Sequence, residues 1–272
     1  MTENIRHPAV AGLFYPDDAR QLRPMLAGFF SASPATPRQA LALLCPHAGY
    51  VYSGALAAAV LAQAEIPERV ILLGPTHHGL SAAAAASLAT WRTPLGDTPT
   101  DGDFLARLLA KTPLIVHDEA GHRREHCLET QLPFLQYLRE DLRIAPLLVS
   151  AIPFDECQEI AVALAETIRQ SSGQTLIVAS SDMSHYLARK EAARLDTMAL
   201  ERVLSLDPKG LYKICLEKNI SMCGFVAVTI AMLAILANSR VAARLIGYTD
   251  SGAASGDMER VVAYAGVVFR NG

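Results

Sequence analysis

The feature that most constrains this chain is a set of short runs that are apolar throughout rather than in alternation. They are Leu41–Cys45, Val70–Leu73, Ile144–Ser150, Leu176–Ala179, Ala243–Ile246 and Val261–Phe269. A strand with no polar face is covered on both sides, as in a parallel sheet sandwiched between helices. Helical stretches separate the runs: Asp17–Phe30, Gly54–Ala64, Asp101–Leu109, Cys127–Arg139, Asp155–Arg169, Arg189–Leu206, Pro208–Glu217 and Phe225–Ala237. In the first, Leu22, Met25, Leu26 and Phe29 recur at helical spacing. Alternating β and α elements predict an α/β fold with a largely parallel central sheet flanked by helices. The 51% hydrophobic content suits that architecture. No linker or repeat divides the 272 residues, so they read as a single domain, 1–272.

Several function classes fall away. The net charge is −3 and no Lys/Arg cluster appears, which argues against nucleic acid as a partner. The five cysteines are odd in number and scattered, the pattern of a reducing, cytoplasmic setting rather than a disulfide framework. The opening MTENIRHPAVAGLFYPDDAR lacks the basic-then-apolar build of a signal peptide. Asn219–Ser239 is uncharged and nearly long enough to span a bilayer. Gly224, Ser221 and Thr229 within it, and the lack of an aromatic belt, favour a buried core helix and no membrane association.

Chemistry gathers after three of the predicted strands. The sequences are Cys45-Pro46-His47-Ala48-Gly49-Tyr50-Val51-Tyr52, Gly74-Pro75-Thr76-His77-His78-Gly79 and Ser180-Ser181-Asp182-Met183-Ser184-His185-Tyr186. Open α/β sheets bind ligands at the carboxyl ends of their strands, so these clusters point to one shared site. Taken singly, any of the histidines reads as an ordinary hydrogen-bonded loop residue.

Cys223 stands at the start of the last apolar helix, where a helix N-terminus favours the thiolate, whereas the other cysteines read as small buried hydrophobes. His126 and Glu129 fall three apart at a predicted helix start and share a face, as pocket-lining or supporting groups. Asp182 and His185, also three apart, suit a carboxylate that orients an imidazole. The serines beside them lack the G-x-S-x-G elbow of a hydrolase. Gly252–Asp257 follows neither the P-loop nor the dinucleotide pattern and reads as a loop.

Together PHAGYVYSG (46–54), LLGPTHHG (72–79), RTPLGD (92–97), EHCLETQLPFL (125–135), SSDMSHY (180–186) and MCGF (222–225) closely resemble the Memo family. Its bacterial members are often labelled AmmeMemoRadiSam system protein B. HPAVAGLFYPDD (7–18) is similar to the family's opening, and the match runs the length of the chain. The resemblance implies a fold like that of class III extradiol dioxygenases, with a Cys where those enzymes have a Glu ligand. It implies His47, His77 and Cys223 as metal ligands, with His185 and Asp182 as catalytic groups. Tyr52, His78, His126, Glu129 and Tyr186 are the expected pocket lining. Cys127 departs from the Ser expected in the E-H-S-x-E pattern.

A His/His/Cys set is softer than His/His/Glu and favours iron or copper, with zinc possible as well. Ring cleavage does not follow from a shared fold, because function resides in the site. The leading expectation is a non-haem, redox-active metal protein, dioxygenase-like in its pocket. The alternatives are a binding protein that holds a metal, small molecule or peptide without turnover, and a zinc-dependent hydrolase with His185 as proton shuttle. The resemblance further implies association with AMMECR1-type and radical-SAM proteins.

Overall fold

The apolar runs become strands because each supplies side chains to two cores at once. Residues 4–272 are described, in a computed structural model. Among them the strands, in chain order, are β1 (Ile5–Arg6), β2 (Ala42–Cys45), β3 (Arg69–Pro75), β4 (Ala84–Ala86), β5 (Thr90–Thr93) and β6 (Gly96–Thr98). Then come β7 (Ile115–His117), β8 (Arg143–Val149), β9 (Thr175–Ser180), β10 (His185–Leu187), β11 (Val241–Asp250) and β12 (Val261–Asn271). A nine-stranded sheet runs β10-β12-β2-β9-β3-β8-β4-β7, with β11 also on β12, and β1, β5 and β6 form a smaller sheet.

The centre, β2-β9-β3-β8, is parallel throughout, while β12 joins β2 and β4 joins β8 antiparallel. Along these central strands successive residues alternate between the two faces. Ala42, Leu44, Ile71, Leu73, Ile177 and Ala179 enter one core; Leu43, Cys45, Val70, Leu72, Leu176 and Val178 enter the other. Helices Phe154–Arg169, Arg189–Leu204, Pro208–Glu217 and Phe225–Leu236 cover the first face, and Ala19–Ser31, Tyr50–Leu61 and Leu132–Leu138 the second.

Phe225–Leu236 explains its own composition. Nine of its twelve side chains are buried between helices and sheet, so it has no polar stripe to show. At twelve residues it is about 18 Å long, well short of a bilayer core of roughly 30 Å. Among the described residues no helix is long and apolar enough to cross a membrane.

One predicted helix is corrected. Cys127–Arg139 is not continuous: residues 125–128 form a loop, Glu129–Gln131 a 3-10 turn, and the α-helix begins only at Leu132. Pro133 fits the first turn because its missing N–H is not needed there. The short strands β1, β6, β7 and β10 have no strand-like run in the sequence, and β4 and β5 fall where it shows an alanine run, Ala82–Ala86, followed by a strand or loop to Trp91.

A buried carboxylate ties the N-terminal segment to this framework. Glu129, with no solvent exposure, is ion-paired to Arg6 and accepts from Ala9 N (2.7 Å), Val10 N (3.0 Å) and the Tyr15 hydroxyl (2.7 Å). Arg6 lies over Trp91 and donates to the carbonyls of His122 and Glu125. Removing one buried partner leaves the other uncompensated, so Glu129→Leu is expected to cost about 3–5 kcal/mol in urea unfolding. The double variant Glu129→Leu/Arg6→Met is expected to lose clearly less than the sum of the singles. Additive losses would show that the two do not act as a pair.

His122 beneath Trp91 is fully buried, its Nε2 facing the Ala85 carbonyl at 3.1 Å, with no partner for Nδ1 among the described residues. Burial holds its pKa down at about 4, against the usual 6.5. The folded state therefore binds fewer protons than the unfolded chain between those values, and stability falls as pH drops through them. The expected loss from this residue is about 3 kcal/mol between pH 7 and pH 4. His122→Gln should lose correspondingly less over that range; equal acid sensitivity in urea titrations would rule the residue out as the cause.

Candidate metal centre

Parallel pairing brings the chemistry to one edge. Cys45 pairs with Ser180 across β2 and β9, and Leu73 pairs with Ala179 across β3 and β9. His47, His77 and Asp182 each lie two residues beyond the ends of β2, β3 and β9. The three residues therefore lie at one edge of a single sheet.

His47 is buried and its ring is held by Ser180. Ser180 Oγ donates to the Cys127 carbonyl (2.7 Å), so it can only accept from His47 Nδ1 (2.8 Å). Gln131 Nε2 adds a second donor to that oxygen (3.1 Å) while holding the Pro46 carbonyl (2.8 Å). The proton on Nδ1 leaves Nε2 as the lone-pair nitrogen, the form that binds metal. Burial, then the neighbouring His126 and His77, hold the His47 pKa well below the usual value.

His77 and His126 share one carboxylate. Glu125 Oε1 takes His77 Nδ1 at 2.8 Å and His126 Nδ1 at 3.2 Å. The same side chain accepts from the backbone N–H groups of His77 (2.6 Å), His126 (2.8 Å) and Cys127 (3.1 Å). Burial opposes ionisation of Glu125, but the hydrogen bonds from His126 and His77 prevail and hold its pKa well below the carboxylate range. Glu125 is therefore acceptor-only, and both rings carry their proton on Nδ1. The three rings lie 4.5–5.4 Å apart by centroid, and His47, His77 and His126 each offer a ligand atom within 4.8 Å of the others.

A second grouping, His77, Glu125 and Cys127, also meets within 4.8 Å. Its donors face inward and are occupied: Glu125 as above, and Cys127 Sγ toward the Pro75 carbonyl at 3.0 Å. In the three-histidine grouping the Nε2 atom of His47 faces Cys223 Sγ, and the hydrogen-bonded nitrogens of His77 and His126 are their Nδ1 atoms.

Cys223 adjoins this grouping through His47. Its Sγ lies 3.3 Å from His47 Nε2 and accepts from the Asp182 backbone N–H at 3.2 Å. Gly224 makes this approach possible, because a Cβ there would meet the Ser180 carbonyl oxygen at 2.3 Å. The helix-dipole expectation for this thiol is corrected. Gly224 is the N-cap of Phe225–Leu236, so Cys223 lies outside the first turn, and burial followed by the Asp182 charge pushes its pKa up.

Asp182 is turned to His47 rather than to His185. Its Oδ1 accepts the His47 backbone N–H (2.8 Å), and Oδ2 lies 3.9 Å from His47 Nε2. Burial pushes its pKa up. His185 is held by Ser221 instead: its N–H donates to Ser221 Oγ (2.8 Å) and its Nδ1 faces the Ser221 carbonyl (2.9 Å). Nδ1 thus carries the proton, and Nε2 is the free nitrogen.

Tyr52, His126, Asp182, His185 and Tyr186 line a cavity of about 510 Å³. Two expected lining residues are elsewhere. Glu129 is consumed by Arg6 and the N-terminal segment, since His126 precedes the helical turn and the two do not share a face. His78 is exposed in the loop, its N–H on Thr76 Oγ1. The residue sequence reasoning undervalued is Glu125. Its adjacency to His126 carries no facing signal in a helix, but in a loop the side chain folds back onto the following amides.

A solved structure, the uncharacterized protein JW3007 from Escherichia coli K12, is similar in fold, with a TM-score of 0.53 and 11% identity over 85% of this chain and 99% of that one. A MEMO1 family protein of Archaeoglobus fulgidus is 38% identical over 98% of this chain and 100% of its own length. Another from Aquifex aeolicus is 37% identical over 97% and 99%. The family model described as Memo-like protein matches residues 6–268. A match over nearly the whole chain, with relatives at this identity, establishes that the protein belongs to the Memo family.

Proposed function

We propose that the protein is a redox-active metal protein whose ion is held by His47 and His77 with His126 or Cys223 completing the set. The observation that carries this reading is the convergence of three imidazoles whose Nδ1 atoms are all occupied, by Ser180 and by Glu125. Such outer hydrogen bonds fix the tautomer and raise ligand basicity, as in protein metal centres generally. Imidazole nitrogens with a thiol beside them suit iron, copper or zinc and not magnesium or calcium. When bound, such a metal supplies Lewis acidity and, for iron or copper, one-electron chemistry.

The remaining residues have roles set by position. His185, with Nε2 free and its ring fixed by Ser221, moves a proton at the cavity wall. Asp182 anchors the His47 backbone and places a second carboxylate oxygen beside Nε2. Tyr52 and Tyr186 shape the entrance. The three-imidazole grouping also suits zinc, so a zinc hydrolase is the second reading.

Metal content of anaerobically purified protein, with a spectrum under reducing conditions, separates these readings. Iron or copper at near one per chain supports the redox centre; zinc alone supports the hydrolase; no affinity for any of the three removes both. Glu125→Gln is expected to weaken metal binding about 10–100-fold by loosening His77 and His126 together. Unchanged affinity would show that those rings are not ligands.

The third donor is decided by two variants. If sulfur is a ligand, Cys223→Ser lowers Cu(I) affinity sharply and Zn(II) affinity less, because a hydroxyl is a poor soft-metal donor. His126→Ala lowers affinity for both metals if the imidazole completes the set. Anaerobic titrations of the two variants assign the donor, and no effect from either would leave the two-histidine remainder too weak to sustain the proposal.

A further inference from the structure

Successive residues of β12 face opposite ways. Ala263, Ala265 and Val267 enter the core that holds the Phe225–Leu236 helix, while Val262 and Tyr264 line the cavity. Gly266 lets the helix Tyr50–Leu61 lie close against the strand, because a Cβ there would meet Val60 Cγ2 at 2.1 Å. Tyr264 is left only 1% exposed. A tyrosine hydroxyl removed from water normally finds a partner. The other buried tyrosines follow that rule: Tyr15 donates to Glu129 Oε1 (2.7 Å) and Tyr50 to the Thr130 carbonyl (2.7 Å). The Tyr264 hydroxyl makes no hydrogen bond among the described residues. Nor is its oxygen among the buried atoms that are both unpartnered and cut off, such as His122 Nδ1 and Gln131 Oε1, so it opens on the cavity.

The environment fixes both the role of this hydroxyl and the acceptor it suits. Burial, then the Asp182 charge, push its pKa up, so it keeps its proton and acts as a donor. Asp182 and Asp257 line the same cavity, and Asp182 is near enough to act on Tyr264. Arg260 lies out at the rim, over the exposed Tyr186 ring. An anion at Tyr264 would add a second acidic group beside Asp182 in a buried place. A neutral carbonyl oxygen takes the same hydrogen bond without that cost.

We propose that Tyr264 is a ligand-binding residue whose hydroxyl donates to the carbonyl oxygen of a small neutral molecule held in the cavity. The cavity, at about 510 Å³, is of the size that takes such a molecule. The assignment makes no use of the metal and goes beyond the metal-centre reading.

Tyr264→Phe removes the hydroxyl and leaves the ring. Because that hydroxyl holds nothing in the protein, Tm is expected to stay level or rise. Cyclohexanone, cyclohexene and cyclohexanecarboxylate are titrated by calorimetry into the full chain as purified, with metal content measured in each sample. The wild type is expected to bind the ketone about tenfold tighter than cyclohexene, which gains no hydrogen bond and leaves the donor unpaired. Tyr264→Phe is expected to bring that ratio down to about one, mainly by weakening the ketone. A clear fall in Tm would show that the hydroxyl serves the fold and would overturn the proposal. So would a ketone that does not bind, a ratio unchanged in Tyr264→Phe, or a carboxylate that binds tighter than the ketone. Metal content is expected to be equal in the two proteins, which keeps a failure here distinct from a failure of the metal centre.

Discussion

Everything at the site depends on the parallel register of β2, β9 and β3. Parallel neighbours end on the same edge, and here each strand delivers a reactive residue two positions past its last pair. A register slip of one residue would turn every side chain to the opposite face, so the two apolar cores that lock the register also lock the site. The antiparallel additions, β12 on one side and β4 on the other, extend the sheet, and β12 brings Val262 and Tyr264 to the cavity wall.

Two carboxylates four residues apart do different work because the chain between them changes conformation. Glu125 sits in a loop and gathers two imidazoles and three amides, so its charge is solvated by the protein itself. Glu129 begins a 3-10 turn and faces inward, where Arg6 and the N-terminal amides take it up. One orients metal-type donors; the other closes the fold over them through Phe14, which packs 5.0 Å from the His126 ring. Fold stability and site geometry are thereby linked through a single short segment.

Burial sets the limits on reactivity. Cys223 is surrounded closely enough that burial outweighs any benefit from the nearby helix, so its thiolate needs a cation at hand. Asp182 and His47 are likewise pushed toward their neutral forms.

Much of this was written in the chain. Apolar runs without alternation determined a sheet covered on both faces, because a strand with no polar face must be hidden on each side, but not that the last two runs pair antiparallel while the centre is parallel. The uncharged Asn219–Ser239 stretch determined a buried helix, and the motifs after β2, β3 and β9 marked the edge where the site lies. Tertiary structure alone decided which side chains meet. Spacing paired His126 with Glu129 and Asp182 with His185, since an i,i+3 relation faces only within a helix, and neither pair lies in one. In the fold Glu125 holds His126 and His77, Asp182 turns to His47, and Ser221 takes His185. These partners come from loops 36 to 135 residues apart, or, for Glu125 and His126, from adjacent residues whose loop folds back. Local periodicity has no access to either relation, because only the packed sheet sets the distances across its edge.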